Sequence, residues 1–92
     1  MADTKERKLA AGSAMALRMW RDEEPGEQKP QTSRPYETVG YVLAGRAELT
    51  VEGKTQTLAT GDSYVVPRDA AHTYRILERF SSVEATSPPA EE

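Results

Sequence analysis

From residue 14 onward the chain alternates in polarity. Met15, Leu17 and Met19 fall on one side and Ala16, Arg18 and Trp20 on the other, the two-residue period of a half-buried strand, with an amphipathic helix as the rival reading. Residues 22–35 break that period with acids, a glycine and three prolines, Pro25, Pro30 and Pro35, which predicts an extended loop. Residues rich in β-formers return over 37–43. After Ala44-Gly45, residues 46–52 give the cleanest alternation in the chain, with Ala47, Leu49 and Val51 against Glu48, Thr50 and Glu52. Gly53-Lys54 predicts a hairpin turn into residues 55–58. Gly61-Asp62 predicts another into 63–66, the two strands lying adjacent and antiparallel. The pattern stops over 67–71 and resumes over 72–77 with His72, Tyr74 and Ile76 on one face. A last strand is predicted over 81–86, before Ser87-Pro88-Pro89. Short strands, turn residues at even spacing and no long helical period predict an all-β sandwich or barrel. No internal repeat supports a solenoid.

Length narrows this to one domain. The 92 residues hold a single core and bury a modest share of their surface, so association into a homodimer is expected. Residues 1–13 are assigned to a flexible N-terminal segment, 14–86 to the barrel and 87–92 to a C-terminal tail. Twelve Lys and Arg against fifteen Asp and Glu give a net charge of −3, with the cations scattered among acids. No stripe for a phosphate backbone results, and no nucleic-acid partner is expected. The absence of cysteine excludes disulfides, thiolate zinc sites and thiol nucleophiles. The apolar stretch at 9–17 is short and broken by Gly12 and Ser13, so neither a membrane span nor a secretory segment is expected, and the expected location is cytoplasmic.

Two segments carry a resemblance. Residues 41–49 (YVLAGRAEL), then Gly61 to Pro67 (GDSYVVP), then His72 resemble the cupin family over about residues 36–86. The family's second motif is Gly, five residues, Pro, then x-Gly-x-x-His. Gly61, Pro67 and His72 match it in spacing, and Asp69 stands where the second Gly would be. Glycine suits the tight turn, and Pro67 ends a strand where no backbone donor is needed. The first motif matches poorly. Its Glu falls at Thr38, with Glu37 one place early, and its two His fall among residues 30–34, which contain none. The resemblance implies a cupin-type jelly-roll barrel with most first-motif metal ligands replaced.

A transition-metal site needs three or four ligands, commonly two His and a carboxylate, and His72 is the only histidine. No cofactor is therefore expected. The alternative is an unusual Fe, Mn, Ni or Zn site with His72 as ligand. Because side chains alternate along a strand, Glu37 faces away from the surface of Thr38 unless a β-bulge intervenes. The expected ligand pocket is Arg34, Tyr36, Thr38, Gly40, His72 and Tyr74, with Arg34 placed to draw an anionic ligand to the mouth. Against this stands the plainer reading of Tyr36, Tyr41, Tyr74 and Trp20 as core aromatics, His72 as a hydrogen-bonded barrel residue and Arg34 as a solvated loop residue. For catalysis the candidates are His72 and Glu37, but no nucleophile with a base and an orienting partner can be assembled. The residues point to a non-enzymatic barrel that binds a small organic molecule or a protein partner. The alternative is an isomerase, epimerase or dioxygenase type of cupin enzyme with a reduced ligand set, or a metal-free acid/base catalyst.

Overall fold

Two long strands, β3 (Glu37–Val51) and β6 (His72–Ser87), organise the molecule and pair antiparallel from Glu37 against Ser87 to Val51 against His72. The computed structural model describes residues 6–90. Its other strands are β1 (Glu6–Ala11), β2 (Ala16–Glu23), β4 (Lys54–Ala59) and β5 (Ser63–Val66). All pairings among them are antiparallel, in the order β1-β2-β6-β3-β4, with β5 also on β3. Among the described residues the molecule is all-β and antiparallel, a jelly roll.

The barrel closes because β3 and β6 bend. The β3–β6 register breaks repeatedly between Val42 and Ala47, and Gly45 lies there at φ 89°. A Cβ on Gly45 would sit 1.9 Å from the Arg79 carbonyl oxygen, so the corner requires glycine. Each long strand thereby serves two sheets. Residues 37–42 of β3 lie between β5 and the second half of β6, with β2 and β1 beyond. Residues 46–51 lie between β4 and the first half of β6. The core of Val42, Ala47, Leu49, Leu58, Ile76 and Phe80, joined by Tyr64 and Val66, packs in the interior.

Several sequence expectations are corrected here. The predicted strands 37–43 and 46–52 are one bent strand, as are 72–77 and 81–86; alternation slips at the bulge and looks like an ending. β4 and β5 do not pair with each other. Both pair with β3, on opposite sides of its bend, with Gly61 and Asp62 hydrogen-bonded to Val42 at the crossing. The hairpin turn centres on Glu52 and Gly53, both at positive φ, one residue earlier than Gly53-Lys54 and with the type I′ handedness that suits a two-residue hairpin. Residues 6–11, assigned to a flexible segment, form β1, which Arg7 and Lys8 register against Met19 and Arg18; residues 1–5 lie outside the described residues. At the other end, Ser87 closes β6, and residues 91–92 of the assigned tail are likewise outside. Asp69, in the place of a motif glycine, has φ 65°, a left-handed conformation that Asp tolerates better than most residues.

The loop between β2 and β3 is a strap rather than a free excursion. The amides of Gly26, Lys29 and Thr32 donate to the carbonyls of Ile76, Tyr74 and His72, and the His72 amide returns a bond to Thr32. The Thr73 hydroxyl donates to the Lys29 carbonyl. The strap thus extends the second sheet along β6.

Candidate functional site

Inside the first sheet the usual polarity is reversed. On β6 the inward residues are Ser82, Glu84 and Thr86, all fully buried, while Val83 and Ala85 face outward. Burying a carboxylate is costly unless it is paired and hydrogen-bonded. Glu84, 2% exposed, meets that condition. Its Oε1 accepts from Arg18 Nε and Trp20 Nε1, each at 2.9 Å, and its Oε2 accepts from the Tyr64 hydroxyl at 2.6 Å. The Tyr64 hydroxyl further approaches Ser82 Oγ at 3.1 Å.

Arg18 is the cationic half of this arrangement. Its guanidinium lies 5.1 Å from the Trp20 ring centre and 5.5 Å from that of Tyr36, a cation–π pairing on two rings. A second, longer ion pair joins Arg18 to Glu6 at 3.4 Å, which ties β1 to the site. Burial works against the charged guanidinium, but the Glu84 carboxylate and Tyr36 together outweigh it and hold Arg18 protonated. Burial, reinforced by the same carboxylate, pushes the Tyr64 and Tyr74 hydroxyls well above the usual tyrosine range, so both stay protonated.

These groups face a cavity of about 730 Å³. Trp20, Tyr36 and Tyr74 line its walls, Ile76 and Phe80 supply apolar surface, and the strap contributes Lys29, Pro30, Gln31, Thr32 and Arg34. Lys29 is paired with Glu23 at 3.6 Å. Among the described residues Arg34 has no ion-pair partner.

Of the residues singled out from sequence, Arg34, Tyr36, Thr38, His72 and Tyr74 all line this cavity. Gly40 does not. It faces inward, but the Tyr64 ring lies so close that a Cβ on Gly40 would be 2.1 Å from Tyr64 Cζ, and the ring screens it. Glu37 is exposed on the outer face, because β3 is regular from Glu37 to Val42 and no bulge turns it inward. As a candidate catalytic residue it is therefore displaced from the pocket. Tyr41 is also outside and about half exposed, neither core nor ligand wall.

His72 is buried, with Nδ1 3.0 Å from the Ala70 carbonyl and its ring edge-on to Tyr74. Among the described residues no group of three His, Cys, Asp or Glu side chains is placed to hold a metal ion. The donor set does not fit the metal site of the fold family, since His72 has no second histidine and the inner carboxylate is already engaged by Arg18, Trp20 and Tyr64. Glu84, Arg18 and Tyr64 were not singled out from the sequence. The signal for Glu84 is present in residues 81–86, where Val83 and Ala85 alternate with polar neighbours; a strand of this kind is normally assigned its apolar side inward.

The comparisons with known proteins agree with this architecture. The model of the Cupin_2 family, described as a cupin domain, matches residues 19–82. The pectin degradation protein KdgF of Dickeya dadantii (strain 3937) is 33% identical over 54 residues, 59% of this chain and 49% of that protein, so the chain spans about half the length of this relative. KdgF from a Halomonas species superposes with a TM-score of 0.84 at 22% identity, covering 94% of this chain and 79% of that one. BH2720 from Bacillus halodurans gives 0.86 at 15% identity, over 97% and 74% of the two chains. An RmlC-like cupin from Shewanella frigidimarina NCIMB 400 gives 0.82 at 21%, over 95% and 77%. At these identities the structures speak for the fold alone, whereas the family model spans most of the chain. This protein belongs to the cupin family.

Proposed function

We propose that this cupin domain binds a small hydroxylated organic acid inside its barrel, without a resident transition metal and without a reaction of its own. The observation that carries this reading is the contrast between its cations. Arg18 and Lys29 are each paired with a carboxylate, while Arg34 stands at the cavity mouth with no ion-pair partner among the described residues. An unpaired guanidinium beside an aromatic-walled cavity favours a planar carboxylate, which it can meet with two hydrogen bonds. Thr32, Thr38 and Thr73 add hydroxyls to the lining, suited to a polyol. The similarity to a protein of pectin degradation adds weight to sugar acids as the class, pectin being a polymer of uronic acid. A cytoplasmic setting suits a chain without cysteine.

The acid/base alternative finds less support. Glu84 accepts from Arg18, Trp20 and Tyr64 at once, so both of its oxygens are already engaged within the protein, and Glu37 lies outside the pocket. Titration calorimetry with galacturonate and with galactose tests the proposal. The acid should bind and the neutral sugar should bind at least about tenfold more weakly, the worth of a charge-assisted contact. Arg34→Gln should remove that preference without lowering the melting temperature of the free protein. Equal binding of both sugars, or no binding by a panel of hydroxy acids, overturns it.

A further inference from the structure

His72 turns one ring nitrogen to the protein and the other to the cavity. Its Nδ1 stands 3.0 Å from the Ala70 carbonyl, which can only accept, so the neutral ring carries its proton on Nδ1 and a bare lone pair on Nε2. The loop that bears this carbonyl is held in place. The Ala70 amide donates to the Pro67 carbonyl, the Ala71 amide donates to Glu52 Oε2, and the Glu52 amide donates to the Ala71 carbonyl. The backbone thus sets the tautomer before any ligand arrives. His72 is 8% exposed and lines the cavity, yet no protein group among the described residues meets Nε2. Since no fully buried side-chain nitrogen or oxygen among them lacks a partner, Nε2 opens on the cavity. Thr38 repeats the pattern from the facing sheet. It is 5% exposed and lines the same cavity, with no hydrogen-bond partner for its hydroxyl among the described residues.

We infer that His72 Nε2 accepts a hydrogen bond from a hydroxyl of the bound molecule, so that the pocket holds its ligand in one direction, carboxylate at Arg34 and hydroxyl at His72. This rests on the reading of the pocket as a site for a hydroxylated acid and adds the group that reads the hydroxyl. A bare lone pair takes a donor and repels a carboxylate or carbonyl oxygen, so the reversed orientation is disfavoured. The Thr73 hydroxyl already donates its proton to the Lys29 carbonyl, and it too has only lone pairs to offer. The Thr38 hydroxyl rotates and takes either role. The chain keeps these groups near one another. Thr32, the bridge partner of His72, precedes Arg34 by two residues and Thr38 follows it by four, so the Arg34 backbone lies within about 7 Å of the one and about 14 Å of the other. An arginine side chain and one small ligand together bridge those spans.

His72 is the only histidine, so the nitrogen-15 spectrum of the labelled full chain contains one imidazole and tests the inference without a variant. With the ring neutral, Nδ1 should be protonated and Nε2 bare in the free protein. Saturation with galacturonate should move the Nε2 resonance toward its hydrogen-bonded position and leave Nδ1 in place. Calorimetry of His72→Phe gives a second readout. Galacturonate and galactose should both bind about three- to tenfold more weakly, the worth of one neutral hydrogen bond, with the preference for the acid retained. Arg34→Gln has the opposite signature, loss of the preference. A proton on Nε2 of the neutral ring, an Nε2 resonance unmoved at saturation, or a His72→Phe protein that binds both sugars as the wild type does overturns the inference. Equal binding of the two sugars by the wild type overturns the reading of Arg34 alone, and a loss shared by both sugars in His72→Phe then still upholds the role of His72. A wild-type protein that binds neither sugar nor any hydroxy acid overturns both.

Discussion

The Tyr64 hydroxyl reaches the Glu84 carboxylate at 2.6 Å by passing directly over Gly40, where any Cβ would overlap the phenol ring. Gly40 and Glu84 are register partners on β3 and β6, and Gly40 is also the partner of Tyr64 on β5. One missing side chain in the middle strand thus lets two flanking strands join across it.

Gly40→Ala should therefore displace Tyr64 and loosen the floor of the pocket. The cost expected of an overpacked core is about 1 to 3 kcal/mol, read as a lower urea midpoint with an unchanged slope. An unaltered midpoint would show that the ring shifts freely, and that its contact with Glu84 is not tightly held.

Glu84→Ala removes the nearer and more buried of the two carboxylates that Arg18 meets, leaving the longer contact with Glu6 at 3.4 Å. A loss of about 3 to 5 kcal/mol is expected for breaking one partner of a buried pair. Replacing both, Glu84→Leu with Arg18→Met, should recover much of it. Chemical denaturation of Glu84→Leu, Arg18→Met and the double variant gives the cycle, and strictly additive losses would remove the case for coupling.

Alkali should destabilise the protein in a way Tyr64 controls. In the unfolded chain Tyr64 and Tyr74 titrate near their ordinary 10.0, whereas in the folded chain both are raised by burial and by Glu84. Their contribution is complete below pH 10 and falls as pH rises above it, because the unfolded state releases protons that the folded state retains. Each tyrosine adds a slope of about 1.4 kcal/mol per pH unit above pH 10. Tyr64→Phe should make the curve of stability against pH shallower by that amount; parallel curves would contradict it.

Glycines 45 and 53 share a positive φ but not their surroundings. Gly53→Ala meets nothing within 4 Å, while Gly45→Ala drives a Cβ into the Arg79 carbonyl. The turn substitution should cost about 1 kcal/mol, the ordinary penalty of an L-residue in that conformation. The corner substitution should cost clearly more, with the melting temperatures ranking the two.

Much of the barrel was legible because its punctuation is chemical. Gly61, Pro67 and His72 gave the family, and the alternation of residues 46–52 gave a strand whose Ala47 and Leu49 are fully buried. The bends in β3 and β6 were not legible as bends, since a bulge interrupts periodicity just as a strand ending does. The site was half visible. Tyr36, Thr38 and His72 could be reached from the motif and the pleat, whereas Glu84 and Arg18 lie on strands whose apolar residues face outward, against the rule that polarity follows solvent. Pairing across strands 66 residues apart leaves no local trace in a sequence.

The strap also fixes the gauge of the mouth. Gly26, Lys29 and Thr32 are the residues that donate to β6, and prolines occupy positions 25 and 30. A slip of one residue in one direction brings Pro25 to the place of Gly26; in the other it brings Pro30 to the place of Lys29. Either way a ladder bond is lost, because proline has no N–H to give. The prolines act as teeth of a ratchet that engages at a single notch, and Arg34, two residues beyond Thr32, keeps its station over the opening only at that notch.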